Sequence, residues 1–257
     1  MTTELPEDRR AHRAWLLALA AVPAAGLVVD VGCGRGEDLC LLAAAHPGDG
    51  LRLVGLDPSA ESLAIAAERA TGDPRVSVRP GRADDRLPFD DGSVDVLYSH
   101  NVLECLADPG AFAREAARVV RPGGQVVVGH WDWDSQTFDG ADKARVRRLV
   151  HAYADWQQAW MEHADGWMGR RLWGAFNPSG SFAGHVHARV LTNTAYAPPH
   201  FGHENARALR SLVRRGLADA ADVEAFEREQ RELHERGRYF YGITGYAYVG
   251  TRLATPR

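Results

Sequence analysis

The chain has 257 residues, a formal net charge of −4 and three cysteines, Cys33, Cys40 and Cys105. No basic region is concentrated enough to follow a phosphate backbone, so nucleic acid is not an expected partner. An odd number of cysteines without metal-ligand spacing argues against a disulfide scaffold and fits a reducing compartment. No apolar run reaches the roughly 18 residues of a membrane helix, and the acidic N-terminus does not resemble a signal peptide. We expect a soluble, cytoplasmic monomer or homo-oligomer that acts on a small molecule and does not bind membranes.

Strand-like and helical patterns alternate through the first half of the chain. After a predicted helix at 9–20, strands are predicted at 27–31, 52–56, 76–79, 94–98 and 125–129. Helices are predicted between them at 36–46, 59–70 and 109–119, with a short one near 101–106. This alternation is typical of βαβ units and predicts an α/β fold with a mostly parallel sheet.

Large aromatic residues are concentrated in the second half. Of the 22 Trp, Tyr and Phe residues, four (Trp15, Phe89, Tyr98 and Phe112) precede residue 131 and 18 lie in 131–257. Helices are predicted here at 142–162, 204–215 and 221–236, and strands at 185–196 and 246–251. The change in composition indicates a helical, aromatic-rich region added to the sheet.

The first predicted strand runs into a loop with glycine at every second position. The sequence reads Val28-Val29-Asp30-Val31-Gly32-Cys33-Gly34-Arg35-Gly36-Glu37, and the second strand ends at Asp57. At the carboxyl ends of adjacent parallel strands, such a loop admits a nucleoside, and an acid like Asp57 can accept both ribose hydroxyls. The dinucleotide fingerprint would place its third glycine at position 37, where Glu37 instead repels a diphosphate. The spacing favours S-adenosylmethionine (SAM) over NAD.

Five segments in this order resemble the class I SAM-dependent methyltransferases of the ubiquinone/menaquinone-biosynthesis-like (type 11) group. They are the glycine loop and residues 55–59, 87–97, 101–104 and 119–124. The resemblance implies a Rossmann-like α/β fold with a seven-stranded mixed sheet, an antiparallel seventh strand and helical cap insertions. Residues 1–130 would form the SAM-binding core, and residues 131–257 the remaining strands with the substrate cap.

The resemblance also implies which residues hold the cofactor. Asp30 and the loop 32–36 would bind the methionine part, Asp57 the ribose and the loop 81–85 the adenine, while 99–101 would line the site near the methyl group. The candidate cofactor residues are Asp30, Gly32, Cys33, Gly34, Gly36, Asp57, Pro58, Ala83, Asp84, Ser99, His100 and Asn101. Where the family usually has an Asp for the adenine amine, this chain has Arg82. Asp84, Asp85 or the Ala83 backbone would take over that contact.

The segment His130-Trp131-Asp132-Trp133-Asp134 follows the fifth predicted strand at the edge where ligands bind. Two carboxylates among two indoles suit a cationic amine, although the indoles could equally be cap core and an Asp a helix cap. His100, His130, Asp132 and Asp134 are the candidate catalytic bases. Candidate substrate contacts are Asn101, Trp131, Trp133, Trp156, Tyr196, Phe201, Tyr239 and Tyr241, although aromatic residues in such insertions are more often core.

Together these patterns predict methyl transfer from SAM to a small soluble acceptor, leaving S-adenosylhomocysteine (SAH). The preferred acceptor is an amine of specialised metabolism. O- or C-methylation of a hydroxylated or aromatic molecule is the alternative, and an NAD-dependent oxidoreductase or a non-catalytic SAM-binding protein is more remote. The pairs His185/His187, His200/His203 and His130/Asp132 lack a complete ligand set, so no metal is expected.

Overall fold

A computed structural model describes residues 5–158 and 161–255 of the chain. Strands and helices alternate up to residue 131, and all five strands predicted there are present. The elements of this half are α1 (Glu7–Leu17), β1 (Gly26–Val31), α2 (Glu37–Ala45), β2 (Leu51–Asp57), α3 (Ala60–Arg69), β3 (Val76–Pro80), β4 (Val94–His100), α4 (Pro109–Val119) and β5 (Val120–Trp131). A 3-10 turn at Leu103–Cys105 takes the place of the short helix predicted near 101–106.

The second half contains two further long strands with helices before and between them. Its elements are β6 (Thr137–Phe138), α5 (Lys143–Ala154), α6 (Met168–Phe176), β7 (Phe182–Asn193), α7 (Phe201–Ala208), α8 (Arg210–Arg214), α9 (Ala220–Glu235) and β8 (Tyr241–Arg252). Among the described residues, no helix has the length and apolar character needed to cross a bilayer.

Four elements predicted in this half have the wrong bounds. The helix predicted at 142–162 ends at Ala154, and its last apolar position, Trp160, lies outside the described residues. The helix predicted at 204–215 is two helices, α7 and α8. The strands predicted at 185–196 and 246–251 span 182–193 and 241–252, because they pair in register along their whole length.

The strands form one mixed sheet. β3, β2, β1, β4 and β5 lie side by side in that order and are all parallel. β8 runs antiparallel to β5 and to the short β6 along one edge, and antiparallel to β7 along the other. The antiparallel last strand implied by the resemblance is thus confirmed, and the two-residue β6 brings the sheet to eight strands.

The core lies on both faces of this sheet, with a separate aromatic cluster beyond it. Neighbouring residues of β1 point to opposite faces, so Val28 packs with Leu39 and Leu42 of α2 while Val29 packs in the cluster of α4 and α6. The insertions have their own buried cluster, which includes Phe138, Phe226 and Tyr241.

The connections position the functional edge. From β1 the chain builds outward to β2 and β3, and then returns to place β4 and β5 on the other side of β1. In doubly wound sheets ligands bind where the strand order reverses, at the carboxyl ends of the strands. The ends of β1, β2 and β4 are therefore where a site is expected.

We predict that Phe112→Ala destabilises the fold strongly. The Phe112 ring is 1% exposed and meets Phe176 edge to face, with 6.3 Å between ring centroids. Its removal leaves a cavity between α4 and α6, and the free energy of unfolding should fall by about 3–5 kcal/mol. Denaturant titration measures the loss, and Phe112→Leu should lose clearly less. Equal losses in the two variants would contradict this packing.

Candidate cofactor and acceptor site

A cavity of about 560 Å³ opens at the carboxyl ends of β1, β2 and β4. This volume lies within the range of roughly 300–1,000 Å³ typical of small-molecule sites. Six predicted cofactor residues line it: Gly32, Asp57, Pro58, Ala83, Asp84 and Asn101. Six lining residues were not predicted from the sequence as site residues: Ser59, Ser62, Val102, Cys105, Leu106 and Glu162.

The glycine loop needs its glycines for backbone reasons. Gly32, Gly34 and Gly36 have φ values of 78°, 52° and 77°, in the left-handed region. A Cβ on Gly32 would lie 2.2 Å from Cγ2 of Val102, whereas a Cβ on Gly34 would meet nothing within 4 Å. The loop is therefore a tight turn that leaves open space beside Gly34.

Asp57 is held in place by this loop. Its Oδ2 accepts a hydrogen bond from the Gly34 amide and its Oδ1 accepts one from the Ser59 amide, both at 2.9 Å. A carboxylate offers about four lone-pair positions, so two such bonds leave acceptor capacity for a ligand diol. Asp57 is oriented before any ligand arrives.

The other predicted cofactor residues are not among those that line the cavity: Asp30, Cys33, Gly34, Gly36, Ser99 and His100. Burial, and after it the charge of Asp38, raises the pKa of Asp30 well above its usual value. A cation placed nearby would offset this effect. Ser99 donates to the carbonyl of Val31 at 2.8 Å and so joins β4 to β1. Burial also raises the pKa of the Cys33 thiol, which disfavours the reactive thiolate.

Arg82 forms a bidentate pair with Asp84 at the cavity mouth. Both nitrogen–oxygen distances are 2.9 Å, and Arg82 also lies 3.1 Å from the carboxylate of Glu162. Asp85 is exposed and does not line the cavity. Of the two acids considered for the adenine contact, only Asp84 therefore faces the cavity.

The role given to Glu37 is corrected by the structure. Its carboxylate pairs with Arg69 of α3, and Glu37 is not among the residues that line the cavity. Because Arg69 compensates its charge, Glu37 does not select the charge of a ligand directly. The charge of Glu37 therefore gives no reason to favour SAM over a dinucleotide.

A buried ionic cluster below the cavity was missed from the sequence. Arg13 of α1 pairs with Asp38 of α2 at 2.7 Å, and the Tyr98 hydroxyl donates to the same carboxylate at 3.1 Å. Burial acts to raise the pKa of Asp38, but the neighbouring His100 ring and the Arg13 guanidinium outweigh it and lower this pKa. The pair fixes α1 across the carboxyl ends of the strands.

Neither predicted histidine base lines the cavity, which corrects their assignment as direct bases. The His100 ring is largely buried, with Nδ1 3.6 Å from Asp38, and burial lowers its pKa. His130 is fully buried, and its Nδ1 lies 2.8 Å from the carbonyl of Trp131. Since a carbonyl only accepts, His130 carries its proton on Nδ1. Its Nε2 then points towards Glu104, 3.9 Å away.

Asp132 and Asp134 are also not free to receive a cationic substrate, so this assignment is wrong. Asp132 is fully buried and forms a bidentate pair with Arg170 of α6 at 2.5 and 2.6 Å. Asp134 lies 3.6 Å from the same guanidinium and 3.5 Å from His151. Their charges stabilise the cap, and neither residue lines the large cavity.

The predicted substrate aromatics divide into two groups. Tyr196, Tyr239 and Tyr241 are 8%, 3% and 0% exposed and belong to the buried aromatic cluster of the cap. Trp131 and Phe201 are buried as well; Trp131 stacks on His12 of α1, with 3.8 Å between ring centroids. Only Trp133 and Trp156 are half-buried, and both line a small chamber beside Glu104.

Asn101 is placed at the cavity by an unusual backbone conformation. Its φ of 57° makes it the only described non-glycine residue with positive φ. Its side-chain oxygen accepts from the Trp131 amide at 3.0 Å. Such conformations persist where the surroundings enforce them, often at functional sites.

Among the residues that the structure describes, no three or more His, Cys, Asp or Glu side chains are grouped to hold a metal ion.

Comparison with known proteins agrees with this geometry. Residues 29–128 match the methyltransferase domain family. An uncharacterized 37.1 kDa protein encoded in a transposon of Streptomyces fradiae is 42% identical over 127 residues, covering 49% of this chain and 36% of that protein. An uncharacterized methyltransferase of Mycobacterium sp. (strain JLS) is 35% identical over 119 residues, or 46% of this chain and 44% of its own. The chain spans less than half the length of these curated relatives.

Solved structures share the fold over nearly the whole chain. The YcgJ protein of Bacillus subtilis superposes with a TM-score of 0.62 at 17% identity, covering 96% of this chain and all of the other. Geranyl diphosphate C-methyltransferase of Streptomyces coelicolor A3(2), solved with Mg²⁺, geranyl diphosphate and SAH, gives a TM-score of 0.55 at 18% identity, with 95% and 77% covered. These structures share the fold of the chain, and residues 29–128 resemble the methyltransferase domain family, in agreement with the sequence resemblance.

We predict that Arg13→Met destabilises the protein at neutral pH by about 3 kcal/mol, because it leaves the buried Asp38 carboxylate without its charged partner. Because the pKa of Asp38 is lowered, the stability that its ionised carboxylate contributes is complete above the ordinary pKa of 3.8 and is lost as the pH falls below that value. The difference in the free energy of unfolding between wild type and variant should therefore stay constant from pH 7 to about pH 5 and shrink towards pH 3. Urea titrations at several pH values measure it. A difference that grew on acidification would contradict this assignment.

Proposed function

We propose that the protein is a SAM-dependent methyltransferase that acts on a small acceptor. The observation that carries this proposal is the Asp57 carboxylate, fixed by the Gly34 amide at a cavity of about 560 Å³ within a methyltransferase domain. The fold neighbour from Streptomyces coelicolor, solved with SAH, supports the choice of cofactor.

The residues at the cavity suit the parts of SAM. Asp57 can bind the ribose diol, and Ala83 with Asp84 borders the space for the adenine. Asp30, behind the glycine loop, is a buried carboxyl with a raised pKa, and a ligand ammonium would offset the cost of its ionised form. When bound, SAM supplies an electrophilic methyl group on a positively charged sulfur.

The chain's own contribution is to position the reactants and exclude water. Asn101, held by its bond to the Trp131 amide, lines the cavity on the β4 side. α1 covers the strand ends through the Arg13–Asp38 pair and the stacking of His12 on Trp131. Alignment of a nucleophile in a site shielded from water can supply most of the rate of a methyl transfer.

An amine remains our preferred acceptor, but for a different reason than the sequence suggested. Asp132 and Asp134 are already compensated by Arg170. The carboxylate that combines burial with aromatic neighbours is Glu104. O- or C-methylation would need no such charge, and a role in specialised metabolism rests on the sequence alone.

We predict that Asp57→Ala weakens SAH binding at least tenfold, because charge-assisted hydrogen bonds contribute about 1.5–3 kcal/mol. Isothermal titration calorimetry with SAH measures the change, with Asp49→Ala as a control on the exposed loop before β2. Tighter binding of NADH than of SAH by the wild type would instead favour an oxidoreductase, and unchanged SAH affinity in Asp57→Ala would refute the ribose contact.

We further predict turnover. Incubation of the full chain with SAM and a panel of small amines and phenols should yield SAH together with a product heavier by one methylene, detected by mass spectrometry. Products from amines alone would support N-methylation, and products from phenols alone would support O-methylation. SAH binding with no product from either panel would favour a non-catalytic SAM-binding protein.

A further inference from the structure

A second, smaller chamber lies against the same two chain segments that border the large cavity. Glu104 and Met161 line the chamber, and the residues that follow them in the sequence, Cys105 and Glu162, line the large cavity. The chamber measures about 30 Å³. A water molecule needs roughly 10–15 Å³ on this measure, so the chamber holds two or three non-hydrogen atoms of a ligand at most. It is the size of a functional group rather than of a whole substrate.

One wall of the chamber is a buried carboxylate. Glu104 is 7% exposed, its Oε2 accepts a hydrogen bond from the Trp133 indole at 2.8 Å, and its Oε1 lies 3.9 Å from Nε2 of His130. Burial raises the pKa of Glu104. A carboxylate removed from water is costly unless a cation or several hydrogen bonds compensate it. The ionised Glu104 thus favours a positively charged occupant of the chamber.

Three of the other residues that line the chamber are aromatic, and Asp165 adds a second carboxylate to the lining. The rings of Trp133 and Tyr153 meet edge to face at 5.8 Å and 72°, and those of Tyr153 and Trp156 at 6.2 Å and 63°. All three residues line the chamber. Aromatic rings attract a cation that lies within about 6 Å of their centroids, most strongly when it is shielded from water. A carboxylate among three rings therefore recognises an ammonium group better than a hydroxyl.

We propose that Glu104, Trp133, Tyr153 and Trp156 form the acceptor subsite of the enzyme, and that this subsite binds the ammonium group of an alkylamine substrate. Before methyl transfer the ammonium gives one proton to the Glu104 carboxylate, and the nitrogen lone pair that this frees forms the new bond to the methyl carbon as the bond from that carbon to sulfur breaks. This inference rests on the proposed function, because a site for the methyl acceptor has to lie beside the cavity that binds the cofactor. The small volume admits the charged end of the substrate, and the rest of the molecule extends outside the chamber.

The test is calorimetry on the full chain saturated with SAH, titrated with n-propylammonium chloride or with 1-propanol. The wild type should bind n-propylammonium at least tenfold more tightly than 1-propanol. Glu104→Gln keeps the shape of the side chain and an acceptor for Trp133 but removes the charge, so it should lose at least tenfold in n-propylammonium affinity and leave 1-propanol binding unchanged. Glu224→Gln, which removes the same charge from an exposed position of α9, should match the wild type.

Trp156→Leu provides an independent test, since it removes one ring and keeps the carboxylate. It should weaken n-propylammonium binding at least threefold, and it decides the question if Glu104→Gln fails to fold. Three results would overturn the subsite: equal affinities for the two probes, n-propylammonium affinity within twofold of wild type in both variants, or no binding of n-propylammonium to the wild type. The preceding SAH titration separates the two proposals: lost SAH binding in the wild type refutes the proposed function, whereas intact SAH binding with failed probe binding refutes the subsite alone.

Discussion

The hydrogen bond from the Gly34 amide to the Asp57 carboxylate is the contact on which the site depends. It joins the loop after β1 to the end of β2, and the left-handed glycines make it possible because no side chain intervenes. The same carboxylate also accepts the Ser59 amide just before α3. One acid therefore fixes the relative positions of two loops and still faces the cavity. Removal of its charge would disturb the loop geometry and the ligand contact together.

A second set of buried charges connects the sheet to the elements that cover it. Arg13 reaches from α1 to Asp38, and Arg170 reaches from α6 to Asp132. In each pair a buried aspartate near the functional edge is compensated by an arginine from a helix that packs over it. These pairs stabilise the cover only while both partners are present, because a single buried charge is strongly destabilising. Glu104 differs, since the basic side chain facing it is His130 at 3.9 Å and not an arginine.

The fold, the glycine turn and the position of Asp57 at the cavity could be predicted because their signals are local. The β-branched run of β1, the glycines after it and Asp57 lie within 30 residues, and each reflects a backbone requirement that is visible in the sequence. Charge compensation is not local in this sense. The partner of Asp132 is Arg170, 38 residues further along the chain, so the sequence around Asp132 does not show that its charge is already compensated.

Other features could not be predicted because the residues involved contact partners that are distant in the sequence. Glu104 is linked to Trp133 across 29 residues, so its side chain could not be assigned from its own short turn. The bounds of β7 follow from its pairing with β8 and not from its own alternation, since residues 185–188 are all exposed. The aromatic residues of the cap share one composition, yet Tyr241 lies in a closed core while Trp156 lines a chamber. Composition alone does not distinguish these environments.

The ion pairs of the Arg82 guanidinium at the cavity mouth are exposed and weak. It touches Asp84 on the loop after β3 and Glu162 on the segment before α6, and all three side chains are more than 40% exposed. Ion pairs with this much solvent contact contribute only about 0–1 kcal/mol, so thermal motion separates them often. Glu162 can thus leave Arg82 while the buried pairs beneath stay intact. The cavity mouth can therefore open by a local rearrangement of these exposed side chains, without movement of the sheet or its helices.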